Sequence, residues 1–180
     1  MCLNLFREMV PMWTDENKEA FLALVEPLLR QQEVQDMRAI SQHAAGISCY
    51  DHSVFVSYLS FLMARRLGLD YRAAARGGLL HDLHLQDWEK TDIGKIHRLF
   101  LHPKLAAQNA EKLGINKLEK DIIVKHMWPL TPALPMHRES FIVSLADKIC
   151  AVAEMLHIYK ASRLQKNFIF ALPALAAENA

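Results

Sequence analysis

Between Tyr50 and Leu67 the chain carries Val54, Phe55, Val56, Tyr58, Leu59, Phe61, Leu62 and Met63, with no alternation of apolar and polar positions. At the helical period these side chains cover nearly the whole circumference. A helix apolar on all faces has to be enclosed by other elements, which sets it at the centre of a bundle. Helical periodicity dominates the rest of the chain, and no segment alternates long enough to read as a strand. The expected fold class is therefore all-α, a bundle of six or more helices.

The flanking elements follow from their punctuation. A first helix is expected after Thr14, an N-cap followed by Asp15 and Glu16. Its apolar stripe is Phe21, Leu22, Val25, Leu28 and Leu29, and Pro27 is a point of kinking or division. A second helix is expected from Val34 to Ala44, broken by Gly46, and Gly68 closes the central helix as a C′ residue. The next, Tyr71 to Leu83, holds Ala73-Ala74-Ala75 and Gly77-Gly78, small enough for close helix approach. Pro103, at an N1-like position, opens a helix that Gly114 ends; Leu118 to Trp128 forms another, stopped by Pro129. Thr131 to His137 reads as a proline-rich loop before a long helix from Arg138 to Tyr159. The tail from Ala161, with Phe168, Ile169 and Phe170, is not placed by the pattern. No linker or repeat divides the chain, so residues 1–180 are expected to form one domain.

At 52% hydrophobic residues the chain can bury a sizeable core, and disorder is not its expected state. Lys and Arg number 21 against 20 Asp and Glu, a balance that argues against a strongly basic nucleic-acid surface or a polybasic membrane anchor. Neither a nucleic-acid polymer nor a membrane is an expected partner. The longest uncharged apolar run, Ser53 to Ala64, is shorter than the roughly 18–20 residues a bilayer requires. Arg7 and Glu8 interrupt the apolar-leaning start, and no signal peptide is read there. Cys2, Cys49 and Cys150 are an odd count without metal-type spacing, which points to a reducing cytoplasm rather than a disulfide framework. Nothing in the pattern specifies an oligomeric state.

The chemistry concentrates in the histidines. His81-Asp82 lies near the end of an apolar helix, where an imidazole and a carboxylate without partners would be costly. Together the pair makes half a metal shell. His52, at the start of the central helix, and Asp147, a polar residue in the apolar run Val143 to Ile149, would close a site for a hard or borderline cation. His102 and His126 extend the set to six ligands. One ion rarely takes six protein ligands and leaves room for substrate, so two ions sharing Asp82 as a bridging carboxylate fit better. Imidazole and carboxylate donors suit Fe, Mn, Zn, Ni or Co. Any one of these histidines alone is more often a hydrogen-bonded or exposed side chain than a ligand. The combination of His81-Asp82 with Asp147 inside apolar helices carries the argument. His84 and His97 read as neighbours of the site or solvated groups, and His137 and His157 as surface residues. The stripe from Phe55 to Met63 reads as core.

The order His52, His81-Asp82, His102, His126, Asp147 resembles the HD superfamily of metal-dependent phosphohydrolases, which is named for the paired His-Asp. The resemblance runs from about Gln42 to Glu154 and includes Tyr50-Asp51-His52-Ser53, Leu80-His81-Asp82, His102-Pro103-Lys104, His126-Met127-Trp128-Pro129-Leu130 and Ala146-Asp147-Lys148. It implies an all-helical HD-like bundle and hydrolysis of phosphate esters, often of nucleotides. By the family's motif His52, His81, Asp82 and Asp147 hold a first metal, and His102 and His126 match the extra ligands of two-metal members. The chain lacks the Gly-Tyr-Pro tripeptide and doubled histidine of the branch that cleaves cyclic dinucleotides, and it has Leu83-His84 after His81-Asp82 where Ile-Gly is a common variant.

The resemblance thus implies a phosphohydrolase that cleaves a phosphate mono- or diester of a nucleotide or other small phosphorylated metabolite with a metal-activated water. Asp82, Lys148 and Arg138 are the catalytic candidates. Lys148 and Arg138 are also candidates for binding the phosphate, and His43 and His97 for contacting the substrate or protonating a leaving group. Two alternatives stay open: a few HD-fold proteins hold two irons and activate oxygen, and the fold also serves as a nucleotide-sensing module without turnover.

Overall fold

The structure is a computed structural model that describes residues 14–42, 46–86 and 94–156. Among these run seven α-helices: α1 (Asp15–Leu29), α2 (Gln32–Asp36), α3 (Cys49–Arg66), α4 (Tyr71–Leu80), α5 (Lys95–Glu111), α6 (Lys117–Lys125) and α7 (Arg138–Met155). A 3-10 turn, Met37–Ala39, follows α2. No strand occurs among the described residues; an antiparallel bridge joins Ser41 to Ser48. The all-α expectation holds, and no helix among the described residues is long and apolar enough to cross a membrane.

The central position of α3 follows from its composition. Every residue from His52 to Leu62 is buried. On one side α3 packs on α1 and α4 through Phe21, Val25, Tyr58, Phe61, Leu79 and Leu80; on the other, Phe55, Val56 and Leu59 meet Val143, Ala146 and Ile149 of α7. Its start is set by a capping box in which the Ser48 hydroxyl accepts the Asp51 N–H and the Asp51 carboxylate accepts the Ser48 N–H. Gly68, at φ +64, follows its end as expected.

The small residues of α4 do what their size allows. A Cβ at Gly77 would lie 2.7 Å from Ile122 Cγ2, and one at Gly78 would lie 3.0 Å from the Ser57 Cα. These two positions let α4 nest between α3 and α6. The Arg76 Nε also donates to Glu119 Oε1 at 2.7 Å, tying α4 to the capping box of α6, where Glu119 Oε2 accepts the Asn116 N–H.

Several boundaries differ from the sequence reading. The helix expected over Val34–Ala44 ends at Asp36, because Ile40 turns extended and the Ser41–Ser48 bridge is closed by the Gln42 N–H to the Ile47 carbonyl and the Cys49 N–H to the Ile40 carbonyl. Pro103 lies inside α5 rather than opening it; there it has no N–H for the Leu99 carbonyl and its ring crowds that carbonyl, a local cost that the rest of the helix carries. Helix α1 runs unbroken to Leu29 with Pro27 in its last turn. Helices α4 and α6 stop at Leu80 and Lys125, so His81-Asp82 and His126 stand on the turns that follow rather than within helices. The reason is shared: His81 Nδ1 donates to the Gly78 carbonyl and His126 Nδ1 to the Ile123 carbonyl, each at 2.7 Å. The imidazole takes a carbonyl that the helix end leaves available. Helix α7 ends at Met155, short of Tyr159, and the C-terminal tail lies outside the described residues.

Replacing Gly77 by Ala tests the close approach. In an open helix the change gains about 1 kcal/mol, whereas overpacking costs ~1–3 kcal/mol. We expect a net loss, read as a melting temperature lower by roughly 2–4 °C per kcal/mol. A higher melting temperature would mean that Ile122 withdraws without cost.

Candidate metal centre

The bundle brings together six side chains from five parts of the chain. His52 extends from α3, His81 and Asp82 from the turn after α4, His102 from α5, His126 from the turn after α6, and Asp147 from α7. His52 Nε2 lies 3.1 Å from Asp147 Oδ1. His81 Nε2 lies 3.5 Å from Asp82 Oδ2 and 3.8 Å from Asp147 Oδ1. Asp82 Oδ1 faces His102 Nε2 and His126 Nε2, each at 3.5 Å. Donors about 2.0–2.2 Å from one ion stand roughly 3–3.5 Å from each other, a range that holds all of these spacings but the 3.8 Å one. Two overlapping groups, His52-His81-Asp147 and His81-Asp82-His126, each gather donor atoms close enough to hold an ion.

The tautomers favour cation binding. In all four histidines Nδ1 is turned outward and bonded: His52 to Glu154 Oε1, His81 to the Gly78 carbonyl, His102 to the Arg98 carbonyl and His126 to the Ile123 carbonyl, each at 2.7 Å. A neutral ring with its proton on Nδ1 presents a lone pair at Nε2. His102 Nε2 and His126 Nε2 stand 3.0 Å apart, two lone pairs face to face unless a cation or proton lies between them. His81 Nε2 and Asp82 Oδ1 are fully buried without a hydrogen-bond partner. Such orphaned groups are costly in a protein interior, and a divalent ion would satisfy both. The residues present fit a metal.

Electrostatics agree with the geometry. Burial pushes the Asp82 carboxyl up, but the facing His81, His102 and His126 outweigh it and hold it well below the usual carboxylate range. Asp147 is likewise lowered against its burial by the bond from His52 and by His81 and Lys148. Burial, joined by His81 and His102, depresses His126 and keeps it neutral. Burial alone would lower His52 too, but its bonds to Asp147 and Glu154 raise it to about 10. Without a metal, a proton on His52 therefore serves the two carboxylates.

Several neighbours were not singled out by sequence. Glu154 is fully buried and holds His52 Nδ1; it sits seven residues after Asp147 on the same face of α7, a spacing that is the available signal. Gln42 donates to Asp82 Oδ2 at 2.7 Å. The Ser144 hydroxyl donates to the His126 carbonyl at 2.8 Å and steadies the turn that presents the ring. Lys148, a candidate from sequence, donates to Asp147 Oδ2 at 2.8 Å and to the His126 carbonyl, which places its ammonium at the edge of the cluster. His84 is buried, with its ring edge-on to His102 at 6.0 Å. Arg138 lies exposed in the first turn of α7, roughly 13 Å along the axis from Asp147. His97 is exposed on α5, about 140° around the helix from His102. Neither is brought to the cluster. His43 and His157 lie outside the described residues.

Residues 49–152 match the HD domain family, a span that contains all six clustered side chains. The chain belongs to that family. Membership places it in a superfamily of metal-dependent phosphohydrolases. It is 33% identical over 111 residues to the Ribonuclease Y of Pseudothermotoga lettingae, an overlap of 59% of this chain and 19% of that protein. With the Ribonuclease Y of Protochlamydia amoebophila it shares 38% identity over 109 residues, 61% of this chain and 19% of that protein. A shorter stretch of 38 residues, 21% of the chain and 7% of its relative, is 55% identical to the Ribonuclease Y of Clostridium perfringens. The chain spans about a fifth of the length of the first two of these curated relatives. No solved structure matches it.

Two outcomes follow from the geometry of this HD domain. Glu154→Gln removes the charge that orients His52, and metal affinity should fall about 10–100-fold with the fold retained, measured by competition with a chelating dye. The proton on His52 competes with metal at any pH below its raised value of about 10. Apparent affinity should therefore weaken as pH falls, by up to about tenfold per unit, with proton release visible by calorimetry in buffers of different ionisation enthalpy.

Proposed function

We propose that this HD domain hydrolyses a phosphate mono- or diester of a nucleotide or similar small phosphorylated metabolite, using two divalent ions from among Fe, Mn, Zn, Ni and Co. The observation that carries this reading is the set of four outward-tied imidazoles and two carboxylates facing one small space. His52, His81, Asp147 and Asp82 Oδ2 would hold one ion, and Asp82 Oδ1, His102 and His126 the other. The two oxygens of Asp82 point to different halves of the cluster, which suits a bridging carboxylate.

When bound, the ions supply a water of lowered pKa and positive charge toward the phosphoryl oxygens. The chain's own groups do the rest. The Nδ1 bonds fix the rings so that no reorganisation accompanies charge development. Lys148, with its side chain 28% exposed against 9% for Asp147, adds an ammonium on the open side of the cluster, where a phosphate would enter. Of the two residues expected to bind the phosphate, Lys148 fits this geometry and Arg138 does not.

A second reading concerns the ester rather than the chemistry. The similarity to proteins named Ribonuclease Y favours a phosphodiester in RNA, whereas a net charge of +1 favours a small substrate over a polyanion. A panel of nucleoside monophosphates, dinucleotides and short RNA separates the two. Asp82→Ala should remove bound metal, read by elemental analysis, and abolish hydrolysis of every substrate, read as free phosphate from the monophosphates and as shorter products from the dinucleotides and RNA. Normal turnover in that variant would overturn the reading, and iron with oxygen consumption would replace it by an oxygenase.

A further inference from the structure

Beside Lys148 lies a cavity of about 250 Å³ walled by Trp128, Pro129, Phe141 and Leu145, with almost no polar lining apart from Ser144 and Lys148. We propose that it is a subsite for a flat aromatic ring, the nucleobase of the phosphoester held at the metal centre. This rests on the phosphohydrolase reading and names the substrate class for it.

Three observations carry the inference. The cavity and the metal cluster share a residue: the Lys148 ammonium reaches Asp147 Oδ2 at 2.8 Å while its side chain lines the cavity. Trp128 stands two residues after His126, and the Ser144 hydroxyl bonds the carbonyls of both, so the wall of the cavity and a cluster imidazole are held by one group. The indole and the Phe141 ring meet edge to face, with centroids 5.1 Å apart at 78°, both rings line the cavity, and Phe141 is 39% exposed. The volume falls below the ~300–1,000 Å³ that encloses a whole ligand, and so suits one portion of a substrate whose phosphate lies elsewhere. A sugar is too polar for these walls. A purine or pyrimidine ring meets both demands, because stacking on aromatic faces tolerates any base.

Exposed Leu145, Val152 and Met155 continue the apolar surface outward along α7, so another protein chain is the competing occupant. The test uses the metal-loaded full chain and two probes with the same phosphate, adenosine monophosphate and ribose phosphate. The chain has three tryptophans, so the quench of Trp128 is assigned by comparison with Trp128→Phe. We expect adenosine monophosphate to quench Trp128 and to bind at least about tenfold more tightly than ribose phosphate. In Trp128→Leu, or in Phe141→Leu should the first variant fail to fold, the two probes should bind alike, with ribose phosphate affinity held. A wild-type protein without this preference, a variant that keeps it, or a variant that loses both probes equally would overturn the subsite, as would a dimer that Trp128→Leu dissociates without changing the preference. Hydrolysis is read separately, as free phosphate from adenosine monophosphate and as cleavage of a dinucleotide. Preference without either leaves the subsite standing and removes the hydrolase reading; hydrolysis without preference does the reverse.

Discussion

One repeated bond organises this molecule, a ring Nδ1–H given to an acceptor outside the cluster. Three of the four acceptors are helical carbonyls three or four residues upstream, and the fourth is the Glu154 carboxylate. Each bond does two things. It satisfies an acceptor at or within a helix, and it decides which nitrogen keeps a lone pair and where that lone pair points. The same contacts therefore end α4 and α6 and build the site, so secondary structure and metal chemistry are not separable here.

The interior of this fold is polar where a bundle core would ordinarily be sealed. His81 Nε2 and Asp82 Oδ1 are buried without partners, next to the neutral His126 and the ionised Asp82 and Asp147. Such an arrangement costs stability in isolation, and a ligand that binds only the folded state offsets the cost in proportion to its affinity. The aliphatic and aromatic shell around α3 supplies the remaining stabilisation. That shell explains how a central helix carrying His52 is tolerated at all.

Much of this was legible in the sequence because apolar helices tolerate few polar residues, and those that occur need partners. The circumferential apolar pattern of α3 announced its central place, and Asp147 stood out against Val143 and Ile149. The resemblance to the HD superfamily arose from the same residues, and the match over residues 49–152 bears it out. Helix ends were less readable. The hydrogen bonds that stop α4 and α6 belong to side chains whose direction depends on the rest of the bundle, so the apolar pattern alone places His81 and His126 within helices that they terminate. Proline favours a helix start over a helix interior, so the place of Pro103 inside α5 is not legible from the residue type. Glu154 does not stand out in the sequence, because a glutamate near the end of a helix ordinarily faces solvent, and only the packing of α7 on α3 turns it to His52. Lys148 and Arg138 share a helix, yet only the former reaches the cluster, a difference of helical phase and axial distance that three-dimensional packing decides.

The ion pair between Arg76 and Glu119 joins the two helices that end in His81 and His126. It lies five residues before one imidazole and seven before the other, at a distance from both. Helices are stiff over such lengths, so the pair works like the rivet of a pair of tongs. Neither residue belongs to the clustered donor set, yet both stand on the helices that lead into it. A change at Arg76, a residue partly visible from solvent, would be felt as a change in bite.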